Sequence, residues 1–92
     1  MKTPRQSAFD ILYKIYKDSA YSNLALDSFL DSSSYSGADR AFVSALVYGV
    51  CERTITLDYQ LILYLTQPLK KLKPEVLTAL RMGAYQILFM DK

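Results

Sequence analysis

The stretch Asp39 to Arg53, DRAFVSALVYGVCER, limits most severely what this chain can fold into. Between the charged pairs Asp39/Arg40 and Glu52/Arg53, only Ser44, Tyr48 and Gly49 interrupt an apolar run. A helix that is apolar nearly all round is a buried one, and this run is too short to cross a bilayer. Ser36 stands at capping-box spacing before Asp39, whose carboxylate also suits the positive end of the helix dipole. With 92 residues in all, the chain forms one small domain that buries about 60 to 65% of its unfolded surface. The central helix must therefore supply the core on which every other segment packs.

Four further helices are predicted around it, making an all-α domain. Thr3 caps and Pro4 opens a first helix over roughly 4 to 17, with Ala8, Phe9, Ile11, Leu12, Ile15 and Tyr16 in an apolar stripe. Ser22 caps a short second helix with Leu26, Phe29 and Leu30 on one face, and the polar run from Asp31 to Gly37 reads as a surface loop. After Arg53 the β-branched run Thr54-Ile55-Thr56 weakens helix, so Thr56 and Asp58 predict a fresh start, with Leu57, Leu61 and Leu65 inward and Gln67-Pro68 as the end. Pro74-Glu75 opens a last helix expected to turn Leu77, Leu80, Ala84, Ile87 and Leu88 inward. Ile87 to Met90 remains apolar close to Lys92, which carries the expectation that the chain is a fragment of something longer. Gly49 and Gly83, each costing about 1 kcal/mol relative to alanine inside a helix, predict close helix crossings.

The side-chain inventory excludes most chemistry. There is one cysteine and no histidine, which removes an internal disulfide, the common zinc sites and every histidine-based acid-base mechanism. Cys51, in an apolar helix, reads as a buried structural thiol. The carboxylates are scattered, and neither a calcium loop nor a glycine-rich phosphate loop occurs. By itself the chain does not read as an enzyme. Lys plus Arg number 11 against 9 Asp plus Glu, a balance that neither demands nor forbids a nucleic-acid partner. Arg5, Lys14, Lys17 and the cluster Lys70, Lys71, Lys73 are the candidate phosphate contacts, beside Lys2; Tyr21 and Tyr35 are candidate stacking surfaces. Surface lysines are ordinarily solvating residues, and Tyr48, Tyr59 and Tyr85 at helical spacing read as core edges. Without a signal peptide or membrane span, the default compartment is the cytoplasm.

Four motifs in order sharpen this reading: Ala20-Tyr21-Ser22-Asn23-Leu24-Ala25-Leu26-Asp27, then Asp39-Arg40-Ala41-Phe42-Val43-Ser44-Ala45-Leu46-Val47-Tyr48-Gly49-Val50, then Arg53-Thr54-Ile55-Thr56-Leu57-Asp58-Tyr59, then Leu80-Arg81-Met82-Gly83-Ala84-Tyr85-Gln86-Ile87-Leu88-Phe89. Together they resemble the NusB-like N-terminal domain of the Sun/RsmB family, the bacterial small-subunit (16S) ribosomal RNA (cytosine-C5) methyltransferases, over essentially residues 5 to 91. The resemblance implies a NusB-type fold of two small helical bundles, of which residues 1–92 supply the first five helices. It implies ribosomal RNA as partner, further helices beyond Lys92, and then a catalytic domain that binds S-adenosylmethionine. Asp39, Arg40, Gly49, Arg53, Asp58, Arg81 and Gly83 match motif positions; Cys51 matches no catalytic one.

Under this resemblance the domain helps to bind and orient ribosomal RNA. For Arg40 and Arg53, an intramolecular ion pair or a helix-end role competes with RNA contact, since Asp39 and Glu52 adjoin them. The rival is a stand-alone NusB-type transcription antitermination factor, which binds RNA and a ribosomal protein; relatives of that kind carry a denser arginine-rich N-terminus than Lys2-Thr3-Pro4-Arg5-Gln6. A bundle cut before its last helices is also expected to dimerise or swap helices to cover helix five.

Overall fold

The computed structural model describes residues 3–18, 22–32 and 35–90. Five α-helices follow one another: α1 (Pro4–Asp18), α2 (Ser22–Ser32), α3 (Gly37–Glu52), α4 (Thr54–Ile62) and α5 (Pro74–Tyr85). A short 3-10 turn, Leu69–Lys71, precedes α5, and a π-helical segment, Gln86–Met90, follows it. The described residues contain no strand, and the chain has the all-α, NusB-like architecture expected of it. The central role of α3 holds as well, because it packs on each of the other four helices. Its Val43, Leu46, Val47 and Val50 form one buried cluster with Ala8, Ile11 and Leu12 of α1, Leu26 of α2, Leu57 of α4 and Met82 of α5. The helix is not buried all round, however: Ala41, Ala45 and Tyr48, at helical spacing, leave a stripe facing solvent.

Local chemistry sets the helix starts. Thr3 and Gln6 close a reciprocal box: the Gln6 backbone N–H donates to Thr3 Oγ1 (3.2 Å) and the Thr3 N–H to Gln6 Oε1 (2.8 Å). At α3 the Asp39 N–H donates to Ser36 Oγ (3.3 Å), with Asp39 in the first turn.

Several expectations about element ends and faces fail. Helix α4 begins at Thr54, not Thr56, because the Thr54 hydroxyl donates back to the Val50 carbonyl (2.8 Å), tying the β-branched run to the end of α3. It ends at Ile62, well short of Gln67-Pro68: the Tyr64 N–H turns back to the Leu61 carbonyl (3.0 Å), and a proline restrains only its immediate predecessor. On α5, Thr78 and Met82 are buried with Leu77, whereas Ile87 and Leu88 are 69% and 49% exposed. The π-helical segment carries an extra residue per turn, which swings the Ile87-Leu88 pair off the inward stripe. The polar stretch is also partly helical, since α2 runs to Ser32; Ser33, Ser34 and the possible stacking residue Tyr21 lie outside the described residues.

The two glycines separate. A Cβ on Gly49 would overlap the ring of Tyr85, so α3 and α5 do cross closely there, whereas a Cβ on Gly83 would meet nothing within 4 Å. Close packing therefore explains Gly49 and not Gly83. Gly49→Ala should destabilise the fold by about 1 to 2 kcal/mol, overpacking outweighing the gain in helix propensity. Gly83→Ala should instead stabilise it by up to about 1 kcal/mol. Urea denaturation of the two variants checks this, and equal midpoints would show that the Tyr85 ring swings aside freely.

Candidate nucleic-acid interface

The candidate cations divide by what holds them. Arg5, in the first turn of α1, is already engaged: its Nε donates to Gln86 Oε1 (2.7 Å) and its guanidinium lies 5.4 Å from the centre of the Phe42 ring. It thus ties α1 to α3 and to the π-helical segment. Lys17 sits 5.5 Å from the Tyr13 ring centre, and Lys14 borders a shallow concavity that also meets Ser7, Asp10 and Ala25. Lys70 and Lys71 ride the 3-10 turn and Lys73 precedes Pro74 at the mouth of α5, all three exposed. Among the described residues no carboxylate pairs with them. The structure therefore places Arg5, Lys14 and Lys17 on α1 and Lys70, Lys71 and Lys73 in a separate basic corner. That corner adjoins an open concavity of about 500 Å³ shared by Lys70 with Ile62, Leu65 and Leu69.

Most of the motif positions turn out to hold the fold. Arg81 donates from Nε and from an Nη to the two carboxylate oxygens of Asp58, both at 2.8 Å, and its guanidinium also lies 5.4 Å from the Tyr16 ring centre. This two-pronged geometry is the strong form of the Arg–carboxylate pair, and it joins α4 to α5. Arg53 stands at the junction of α3 and α4: its N–H closes α3 on the Gly49 carbonyl (3.1 Å), its carbonyl accepts from Leu57 (2.9 Å), and its guanidinium stacks 4.2 Å from the Phe89 ring centre. Neither Tyr16 nor Phe89 was singled out by the sequence as an arginine partner. The signal available was only that Tyr16 belongs to the apolar stripe of α1 and Phe89 to the apolar run before Lys92.

The tyrosines also sort differently from expectation. Tyr35 is committed to the fold: its hydroxyl and that of Ser7 share a hydrogen bond (2.9 Å), and its ring meets Phe29. Tyr48 and Tyr59, expected as core edges, are exposed, as is Tyr64 at 82%. Together with Ile55, Ile62 and Leu63, Tyr59 gives α4 a second apolar face toward solvent. Cys51 behaves as a structural thiol: burial pushes its pKa up, with Arg81 pulling weakly the other way. Among the described residues no group of three or more metal-capable side chains comes together, and no helix is long and apolar enough to cross a membrane.

The model of the NusB family matches residues 2–92. This chain belongs to the NusB family. Within curated relatives, the NusB-family chain is similar to the probable ribosomal RNA small subunit methyltransferase B of Bacillus subtilis, 38% identical over 88 residues that cover 96% of this chain and 20% of that protein. The namesake from Synechocystis is 35% identical over 92 residues, covering 100% of this chain and 21% of the relative. The ribosomal RNA small subunit methyltransferase B of Thermus thermophilus is 37% identical over 84 residues, covering 91% and 21%. The chain thus spans about a fifth of the length of these relatives. No solved structure matches it.

Proposed function

We propose that this NusB-family chain is the RNA-binding unit of a ribosomal RNA small subunit (cytosine-C5) methyltransferase, one that holds and orients the RNA while a separate catalytic domain methylates cytosine. The observation that carries the reading is the pattern of coverage: relatives named as small-subunit methyltransferases match nearly all of this chain with only about a fifth of their own length. S-adenosylmethionine would supply the methyl group in that other domain. Among the described residues there is no strand leading into a glycine-rich turn, the arrangement on which such a nucleotide-like cofactor is ordinarily cradled. A cytoplasmic location goes with this reading, since that is where bacterial relatives would meet ribosomal RNA.

Lys70, Lys71 and Lys73 are the phosphate contacts this reading favours, since they are exposed and unpaired among the described residues; Lys14, Lys17 and Arg5 form a second group on α1. The test is binding to a small-subunit ribosomal RNA stem-loop and to an antitermination RNA element across a salt series. Changing the three lysines to glutamine should lower the salt slope by about 2 to 3, since each phosphate contact contributes about 0.7 to 0.9. Preference for the antitermination RNA would move the protein to the antitermination branch of the family, and binding to neither would remove the RNA role from this unit. The exposed Ile87, Leu88 and Phe89, with the outer face of α4, also favour self-association of the isolated chain, through a second copy or a swapped helix. A monomer in sedimentation at high concentration would overturn that.

A further inference from the structure

A half-enclosed cavity of about 160 Å³ opens between α1, α3 and α5, beside the start of α4. Leu12, Ile15 and Val50 are its aliphatic lining, and Tyr16, Cys51, Thr54, Thr78 and Arg81 are the lining residues that carry polar groups. Its size matches the cavity of about 150 Å³ that admits one benzene ring in a helical protein. Thr78 is only 3% exposed, and among the described residues no group hydrogen-bonds its hydroxyl. Polar groups buried to that degree nearly always have a partner. Of the other hydroxyl-bearing residues on the wall, Thr54 already donates to the Val50 carbonyl and Tyr16 is half-exposed.

We propose that this cavity is a binding site for a neutral, ring-sized molecule carrying one hydroxyl, which hydrogen-bonds Thr78 and lies against Cys51. Neutrality follows from the electrostatics: the Arg81 charge is already matched by both oxygens of Asp58, so an anion would have to displace that carboxylate. A single hydroxyl follows from the wall, on which Thr78 carries the one deeply buried hydroxyl without a partner among the described residues. A cluster of waters suits the space poorly, because each buried water needs two to four polar partners. Entry is past the half-exposed ring of Tyr16, which lines the same cavity.

The probes are phenol and toluene, followed by amide NMR and by the rate at which iodoacetamide alkylates Cys51. Phenol should shift the signals of Leu12, Val50 and Cys51 and slow alkylation of the thiol. Thr78→Val, which keeps the shape and removes the hydroxyl, should weaken phenol about tenfold and leave toluene unchanged. Cys51→Met, which fills the space, should abolish both shifts. No shift up to the solubility limit of phenol would overturn the proposed site, and equal phenol binding by Thr78→Val would overturn the assigned partner. The outcome is independent of the RNA titration, so failure of either proposal leaves the other standing.

Discussion

Leu46→Ala should lower the melting temperature by on the order of 15 °C. The side chain is 0% exposed in the middle of the helix that touches all the others. Truncating such a leucine removes its transfer free energy and leaves a hole, at a cost of about 2 to 5 kcal/mol. A domain of this size has about 5 to 15 kcal/mol in total, and each kcal/mol moves its melting point by about 4 to 8 °C. Leu24→Ala, at a largely exposed position of α2, serves as the control and should change stability by less than about 0.5 kcal/mol. Calorimetric melts of the two variants decide the matter. A loss of only a few degrees at Leu46 would show that the surrounding helices collapse into the space.

Arg81→Met should cost about 2 to 3 kcal/mol. The variant strands the Asp58 carboxylate, which is only 24% exposed, beside an apolar side chain. Breaking a fully buried pair costs about 3 to 5 kcal/mol; both partners here keep some contact with water, so the lower part of that range and somewhat below it applies. Asp58→Asn alone should cost less, and the double variant should recover part of the loss, since the unpaired charge is then gone. Denaturation of all four proteins gives the coupling energy. The same series separates two roles for Arg81. A residue that holds the fold lowers stability when changed, whereas one that grips RNA lowers affinity at unchanged stability.

How far the sequence carried depends on how local the determining physics is. Ser36 and Asp39 announce the start of α3 within one turn, and the apolar run from Ala41 to Val50 announces that it forms the core, though not that Ala41, Ala45 and Tyr48 face solvent. The start of α4 was not legible, because the bond from Thr54 to the Val50 carbonyl reverses what a β-branched run ordinarily does to a helix. Nor could the outward turn of Ile87 and Leu88 be read, since periodicity assumes a uniform pitch and the π-helical segment breaks it. At the candidate interface the cations were identifiable by type, but their availability was not. Arg5 is spent on Gln86, 81 positions away, while Lys70, Lys71 and Lys73 have no carboxylate partner among the described residues. The Asp58–Arg81 pair spans 23 positions, and only the fold brings it together.

Arg53 closes α3 and opens α4 with a single residue, at φ −111° and ψ 20°. No linker separates the two helices, so the pair behaves as one bent rod whose elbow angle is set by two dihedrals. Each residue of a helix advances the side-chain direction by about 100°. One residue inserted at this elbow would therefore rotate α4 by that amount, lifting Leu57 out of the core and carrying Asp58 away from Arg81. Length variation among relatives should accordingly be tolerated in the segment between α4 and α5, and excluded at the elbow.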